Sequence, residues 1–287
     1  MTFKIIVALA VCAVIFVTGF VIDGLLSNMR LELNSYEICD ASVPKEFDGF
    51  RIAHVSDFHN SEMGEENERL ISLLKDAEPD IIVITGDMID SRNTDVEIAL
   101  AFAEMIVEIA PCYYVNGNHE SRLREYEGFK RELAQVGVTV LENSTAQIEI
   151  AGEKITMLGV IDPGFIKENS SDNEELLMKE SLDALKPRMD GFTILLSHRP
   201  EYFETYVEYG VNLVFSGHAH GGMIRLPVVG GIFAPAQGLF PKYDAGIFSS
   251  DGTHMVVSRG IGKTVVPIRI NNNPEVVLLV LKSSSEP

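Results

Sequence analysis

Five short runs in this chain end in side chains that bind metal ions. They are Asp57-Phe58-His59, Gly86-Asp87, Gly117-Asn118-His119-Glu120, the single His198, and Gly217-His218-Ala219-His220. Of the seven histidines, five lie in these runs, so the clustering needs a reason. Each run alone is weak. Asp-x-His is common, Gly-Asp after a strand often marks a turn, and one histidine at a strand end is more often a hydrogen-bonded surface residue than a ligand. His54, in mid-strand, and His254, in a hairpin, join no run and receive no role. The ordered set is a different matter. It holds two carboxylates (Asp57, Asp87), an amide (Asn118) and the imidazoles of His59, His198, His218 and His220, with His119 beside them. Such mixed nitrogen and oxygen donors suit Mn, Fe, Zn or Co rather than a thiolate site. They are too many for one tetrahedral ion. Two divalent ions about 3.5–4 Å apart would use them, and such pairs clamp the oxygens of an in-line displacement at phosphorus. Two dications against two aspartates leave a positive pocket, whose natural guest is a phosphate ester.

These residues are far apart in sequence, so strands must converge to bring them together. FRIAHVSD (50–57), DIIVITGD (80–87), CYYVNGNHE (112–120), FTILLSHR (192–199) and VNLVFSGHAH (211–220) are apolar runs, each entering one of the five motifs. In α/β sheets, ligands sit beyond the carboxyl ends of the strands. Helical spacing marks 65–79, 94–110 with Asn93 or Thr94 as cap, 122–137 closed by Gly137, and 173–186. Strands alternating with helices imply right-handed βαβ units. VTVLEN, AQIEIAGEKITMLGVID and AGIFSSDGTHMVVSRG carry hairpin chemistry, and TVVPIRI and PEVVLLVLK close the chain as strands. The stretch 226–246, rich in glycine, proline and apolar residues, is a long irregular loop just after the histidine pair. Loops of this length in compact domains are usually functional. A lipid-facing role and a packed cover over the second sheet both fit its composition.

The formal net charge of −19 excludes a nucleic-acid partner, which needs a basic face. Three cysteines, Cys12, Cys39 and Cys112, with no paired spacing, give no disulfide framework. Oligomeric state is not encoded in any feature of the chain. Ile5–Ile22 is an 18-residue run without a charge, closed by Asp23. A membrane span needs about 20 apolar residues, whereas a cleaved signal peptide has a core of about 7–15 followed by a small-x-small site. No such site follows. Residues 1–23 therefore read as an uncleaved single-pass anchor in the cell membrane, 24–48 as a linker with an edge strand at YEIC, and 49–283 as one domain. Lys4 and the amino terminus on one side place that domain outside the cytoplasm.

Taken in order, DxH, GD, GNHE, H and GHxH resemble the calcineurin-like metallophosphoesterase family, and the likeness to its membrane-associated bacterial branch runs from about 50 to 282. The resemblance implies an α/β fold, a four-layer αββα sandwich of two mixed β-sheets flanked by helices. It implies one ion held by Asp57, His59 and His220, and another by Asn118, His198 and His218, with Asp87 bridging. It implies that His119 faces the substrate as acid or stabiliser, and that Asp90 orients it and raises its pKa. The implied reaction is one-step hydrolysis of a phosphate ester by a hydroxide bridging the two metals, with no covalent enzyme intermediate. The chain departs from the family's protein phosphatases, since Ser91-Arg92-Asn93 follows Asp90 where they carry arginine and glycine directly. Arg259, in VSRGIG, fits a phosphate contact or a structural salt bridge. The anchor and loop point to a lipid-linked or envelope phosphodiester. The alternatives are a pyrophosphatase acting on a nucleotide-linked sugar lipid and a non-catalytic metal-binding scaffold.

Overall fold

The computed structural model describes residues 2–28, 30–167, 173–262 and 269–284. Two six-stranded sheets form its centre. The first runs, in spatial order, β1 (Glu32–Asp40), the C-terminal strand Glu275–Ser283, β2 (Arg51–Val55), β3 (Ile81–Thr85), β4 (Cys112–Val115) and β5 (Thr139–Val140). The second is antiparallel at both edges: Gly246–Ser250, Thr253–Val257, then β9 (Leu213–Ser216), β8 (Phe192–Leu196), β7 (Glu153–Gly159) and β6 (Ser144–Ile150). Both sheets are mixed. β2 to β5 run parallel, and so do β7 to β9, so their carboxyl ends share an edge within each sheet.

Burial follows from the sequence pattern. β3 reads IIVIT and is buried at every position, as a strand covered on both faces must be. Ile52, Ile81, Val83 and Val115 face Ile155, Met157, Ile194, Leu213 and Phe215 in the layer between the sheets. The outer face of the first sheet packs against α2 (Glu68–Asp76), α3 (Val96–Val107) and α4 (Tyr126–Gln135) through Leu70, Leu74, Phe102, Ile106, Phe129 and Leu133. The outer face of the second is covered by Met178, Leu182 and Leu185 of the Glu174–Leu185 helix together with Phe203 and Tyr206. Helices, sheet, sheet, helices give four layers.

Several local expectations shift. The α3 cap is Asp95, whose carboxylate accepts from the N–H groups of Glu97 and Ile98; Asn93 and Thr94 precede it. The 122–137 helix starts only at Tyr126, because Glu120–Arg122 winds into a separate tight turn. VTVLEN is no hairpin: its Thr139–Val140 adds in parallel to β4. The edge strand expected at YEIC extends over Glu32–Asp40 and pairs in parallel along its length with Glu275–Ser283. Most of TVVPIRI lies outside the described residues. Among the described residues no helix is long and apolar enough to cross a membrane, so the expected spanning helix is not borne out there. The N-terminal segment is instead present as a helix, α1 (Thr2–Ser27), with exposed apolar side chains including Ile6, Leu9, Val14 and Ile15.

Candidate metal centre

The five parallel strands that carry the motifs all end at the mouth between the two sheets. Hydrogen bonds lace their loops together. Within the first sheet, the Asp57 and His59 N–H groups donate to the carbonyls of Gly86 and Asp87. Between the sheets, the His218 N–H donates to the Asp57 carboxylate at 3.0 Å, and His198 Nδ1 donates to the Thr85 carbonyl at 2.7 Å. The backbone there is bent hard. Asp57, His59, Asp87, His218 and His220 all have φ between 47° and 64°, in the left-handed region that non-glycine residues avoid. Such residues cost of order 1–3 kcal/mol each and persist where the surroundings dictate them. Gly217 has a separate reason to lack a side chain. A Cβ there would collide with the Ser56 hydroxyl and the Asp57 carboxylate.

The residues gather in overlapping groups. Asp57, His59 and His220 form one, Asp87, His198 and His218 another, and His59, Asp87 and His119 a third that links them, each with candidate ligand atoms within 4.8 Å of one another. The two histidines of GHAH thus fall in different groups. Asp87 lies between them, with Oδ2 3.3 Å from His198 Nε2 and 3.8 Å from His59 Nε2. Asn118 Oδ1 is 3.2 Å from His198 Nε2, which adds it to the second group. His119 approaches from the other side, its Nε2 4.0 Å from Asp87 Oδ2.

The geometry fits divalent ions. His59 Nε2 and His220 Nε2 face each other at 3.3 Å, and His198 Nε2 and His218 Nδ1 at 3.1 Å. Two nitrogens bound at about 2.0–2.1 Å to one tetrahedral ion sit about 3.3 Å apart. Two of the outward nitrogens are tied down: His59 Nδ1 lies 3.2 Å from the Ile89 carbonyl, and His198 Nδ1 is held by Thr85. Donating the far N–H to a carbonyl fixes the ring and leaves the other nitrogen for a ligand. Among the described residues, the ion pairs of buried Asp57 and Asp87 are with histidines and none is with an arginine or lysine.

Protonation states sharpen this. Burial pushes His59 down to about 4 and holds His218 and His220 well below the ordinary imidazole value, so all three are neutral ligands at pH 7. His198 is the exception. Burial alone would lower it, but the Asp87 carboxylate overrides burial and raises it to about 10. Metal-free protein at pH 8 therefore holds a proton on His198 that a bound ion must displace. Asp57, raised to about 6 by burial, is already ionised there. Loading with Mn²⁺ or Zn²⁺ at pH 8 is expected to release about one proton per chain from this imidazole. Calorimetry in two buffers of different ionisation enthalpy measures that number, and a value near zero would contradict the assignment.

His119 and Asp90 differ from expectation. Asp90 Oδ1 is 3.5 Å from His119 Nδ1, but the Ser91 N–H donates to that same nitrogen at 3.0 Å. Asp90 is occupied instead by Arg92, which binds both of its oxygens at 3.0 and 2.9 Å. Burial outweighs Asp87 and Asp90 and lowers the His119 pKa rather than raising it. With Nδ1 accepting, the proton sits on Nε2 and points a neutral N–H donor into the site.

Three arginines were not legible beforehand. Arg92, Arg122 and Arg199 line the same cleft of about 540 Å³ as the histidines, together with Glu174. Arg199 is buried, pairs with Asp162 at 2.6 Å, and reaches His218 Nε2 at 3.2 Å. Its one sequence signal was its place directly after His198. Arg259 binds Glu275 and Glu32, both at 2.8 Å, and ties β1 to the C-terminal strand; it does not line the cleft. His54, buried and hydrogen-bonded to Thr85 Oγ1, is a core residue.

Comparison with known proteins agrees with this geometry. Residues 50–222 match the model of the calcineurin-like phosphoesterase family. The chain is similar to the Bacillus subtilis metallophosphoesterase YkuE, with 32% identity over 89% of this chain and 87% of that one. It is similar to the Escherichia coli phosphodiesterase YaeI, with 28% identity over 81% and 82%. Among solved structures, TT1561 of Thermus thermophilus superposes with a TM-score of 0.52 at 16% identity over 74% of this chain and 90% of that one, a likeness of fold alone. With two mixed sheets, flanking helices and the clustered His/Asp groups at their mouth, the chain belongs to the calcineurin-like phosphoesterase family.

Proposed function

We propose that the protein is a dinuclear metal-dependent phosphoesterase, one ion held by Asp57, His59 and His220, the other by Asn118, His198 and His218, with Asp87 shared. The observation that carries this is the pair of facing-imidazole sites on either side of Asp87. Bound divalent ions would supply an activated water and positive charge against the phosphoryl oxygens. The chain's own residues do the rest. Asp87 holds the two groups together and accepts the His119 N–H at 2.8 Å, which fixes where that ring starts. The His119 Nε2–H donates a hydrogen bond to a phosphoryl or leaving oxygen, where charge develops during the displacement. Arg92, Arg122 and Arg199 draw an anion into the cleft.

Hydrolysis of bis-p-nitrophenyl phosphate with Mn²⁺, with and without chelator, tests the reading. Metal-loaded protein that shows no chelator-sensitive turnover on any phosphate ester would leave only a metal-binding scaffold. His119→Ala is expected to keep its metals and lose about 10²–10⁴-fold in kcat. Metal analysis beside the kinetics checks it, and loss of metal would move His119 into the ligand set. We further propose that α1 sits in a membrane with the domain outside the cytoplasm, supported by its exposed apolar side chains and the uncharged Ile5–Ile22 run. Extraction of the full chain from membranes by carbonate rather than only by detergent would count against it.

A further inference from the structure

Among the described residues, the exposed large apolar side chains concentrate in two places. They are ten on α1, six on the loop after the histidine pair, and Leu176. The loop six are Leu226, Val228, Val229, Phe233, Leu239 and Phe240. Val228 is fully exposed, and Leu239 and Phe240 are 69% and 63% exposed. The loop is not loose chain. Arg225–Leu226 pairs with Gly230–Gly231, Phe233–Ala234 pairs with Gly238–Leu239, and Asp244 anchors the base through Arg225 and the Gly231 N–H. Ala234 and Tyr243 pack into the core over the second sheet. The fold thus holds the base in place and turns the apolar tips outward. From Leu226 to Pro241 there is no charged residue, on a chain in which 23% are charged.

The base of the loop lies close to the chain that follows α1. Glu32, which opens β1 five residues after α1 ends, lines one pocket together with Arg225 and Ala245, the two flanks of the loop. Pro235 and Ala236 of the same loop form a wall of the metal-site cleft. An apolar surface that meets the loop tips would lie beside the mouth of that cleft.

We infer that the Leu226–Phe240 loop is a lipid-docking surface, seating the cleft against a bilayer so that it takes a phosphate ester held in the lipid. The docking stands on the exposed side chains; the substrate class rests on the phosphoesterase reading. Insertion is driven by apolar burial, so it requires no anionic lipid and is insensitive to salt.

The chain has no tryptophan, so one introduced indole reports alone. Full-length Phe240→Trp is mixed with phosphatidylcholine vesicles carrying bromine on the acyl chains. The control is Glu149→Trp, on β6 at the opposite edge of the second sheet. The loop indole is expected to be quenched at least about twofold and shielded from iodide, the control neither. Equal behaviour of the two overturns the docking. A blue shift of Phe240→Trp that grows with protein concentration in the absence of lipid overturns it too, assigning the loop to a second copy. For the substrate class, Val228→Ser with Phe240→Ser is expected to keep bis-p-nitrophenyl phosphate turnover. It should lose about tenfold on hexadecyl p-nitrophenyl phosphate embedded in the vesicles. Equal loss on both esters overturns the docking role. Wild-type protein inert toward both esters sinks the phosphoesterase reading and leaves the fluorescence result standing.

Discussion

Under the proposed two-ion arrangement, Asp87→Ala is expected to lower turnover on any phosphate ester by on the order of 10³-fold or more, because each ion would lose a ligand at once. Asp87 Oδ2 lies within 3.3 Å of His198 and 3.8 Å of His59. Its other oxygen accepts the His119 N–H, so the donor aimed at the substrate loses its tether as well. A second signature separates this from simple misfolding. The proton held by His198 owes its place to the Asp87 carboxylate, since burial alone would expel it. In the variant, the proton released on metal loading at pH 8 should therefore fall, while circular dichroism stays that of the parent. Full metal content and turnover in Asp87→Ala would overturn the two-site arrangement.

Glu120→Ala is expected to cost about 3 kcal/mol or more of stability, since it strands three buried N–H groups at about 1–3 kcal/mol each. The Glu120 carboxylate is fully buried and accepts from Asp87 N–H at 2.9 Å, Gly117 N–H at 2.8 Å and Ile89 N–H at 3.2 Å. It clasps the loop after β3 to the loop after β4, which carry Asp87 and Asn118. Denaturant unfolding of metal-free protein measures the loss. The sign of its pH dependence follows. Burial, then the Asp87 charge, raises the Glu120 pKa to about 7, above its unfolded value of 4.5. The folded chain keeps a proton that the unfolded chain gives up, so this group's contribution is full in acid and fades as pH rises through 7. The gap between wild type and Glu120→Ala should narrow from pH 5 to pH 8. A gap that is flat, or that widens, would mean the carboxyl is not held in that environment.

Much of the site was legible because metal ligands must be particular residue types and parallel strands deliver their ends to one edge. DFH, GD, GNHE, the lone His198 and GHAH each follow a short apolar run, and the runs became β2, β3, β4, β8 and β9. Helix starts were less legible, since caps such as Asp95 depend on side-chain reach within one or two residues. Asp90 is a second case, since it pairs with His119 only at 3.5 Å. Sequence proximity favoured the carboxylate, but the backbone N–H of Ser91 is nearer and Arg92 already holds Asp90. No short-range pattern distinguishes those outcomes.

The sequence by itself determined the ligand types, their order along the chain and the strands that carry them, because these depend on local residue chemistry and periodicity. Only the tertiary structure decided that Arg199 and Glu120 reach the site, that the Ser91 N–H meets His119 Nδ1, and that the base of the apolar loop comes close to Glu32 of β1. Those facts depend on contacts between residues tens to hundreds of positions apart, and on left-handed backbone at Asp57, Asp87 and His218 that only the assembled surroundings can hold.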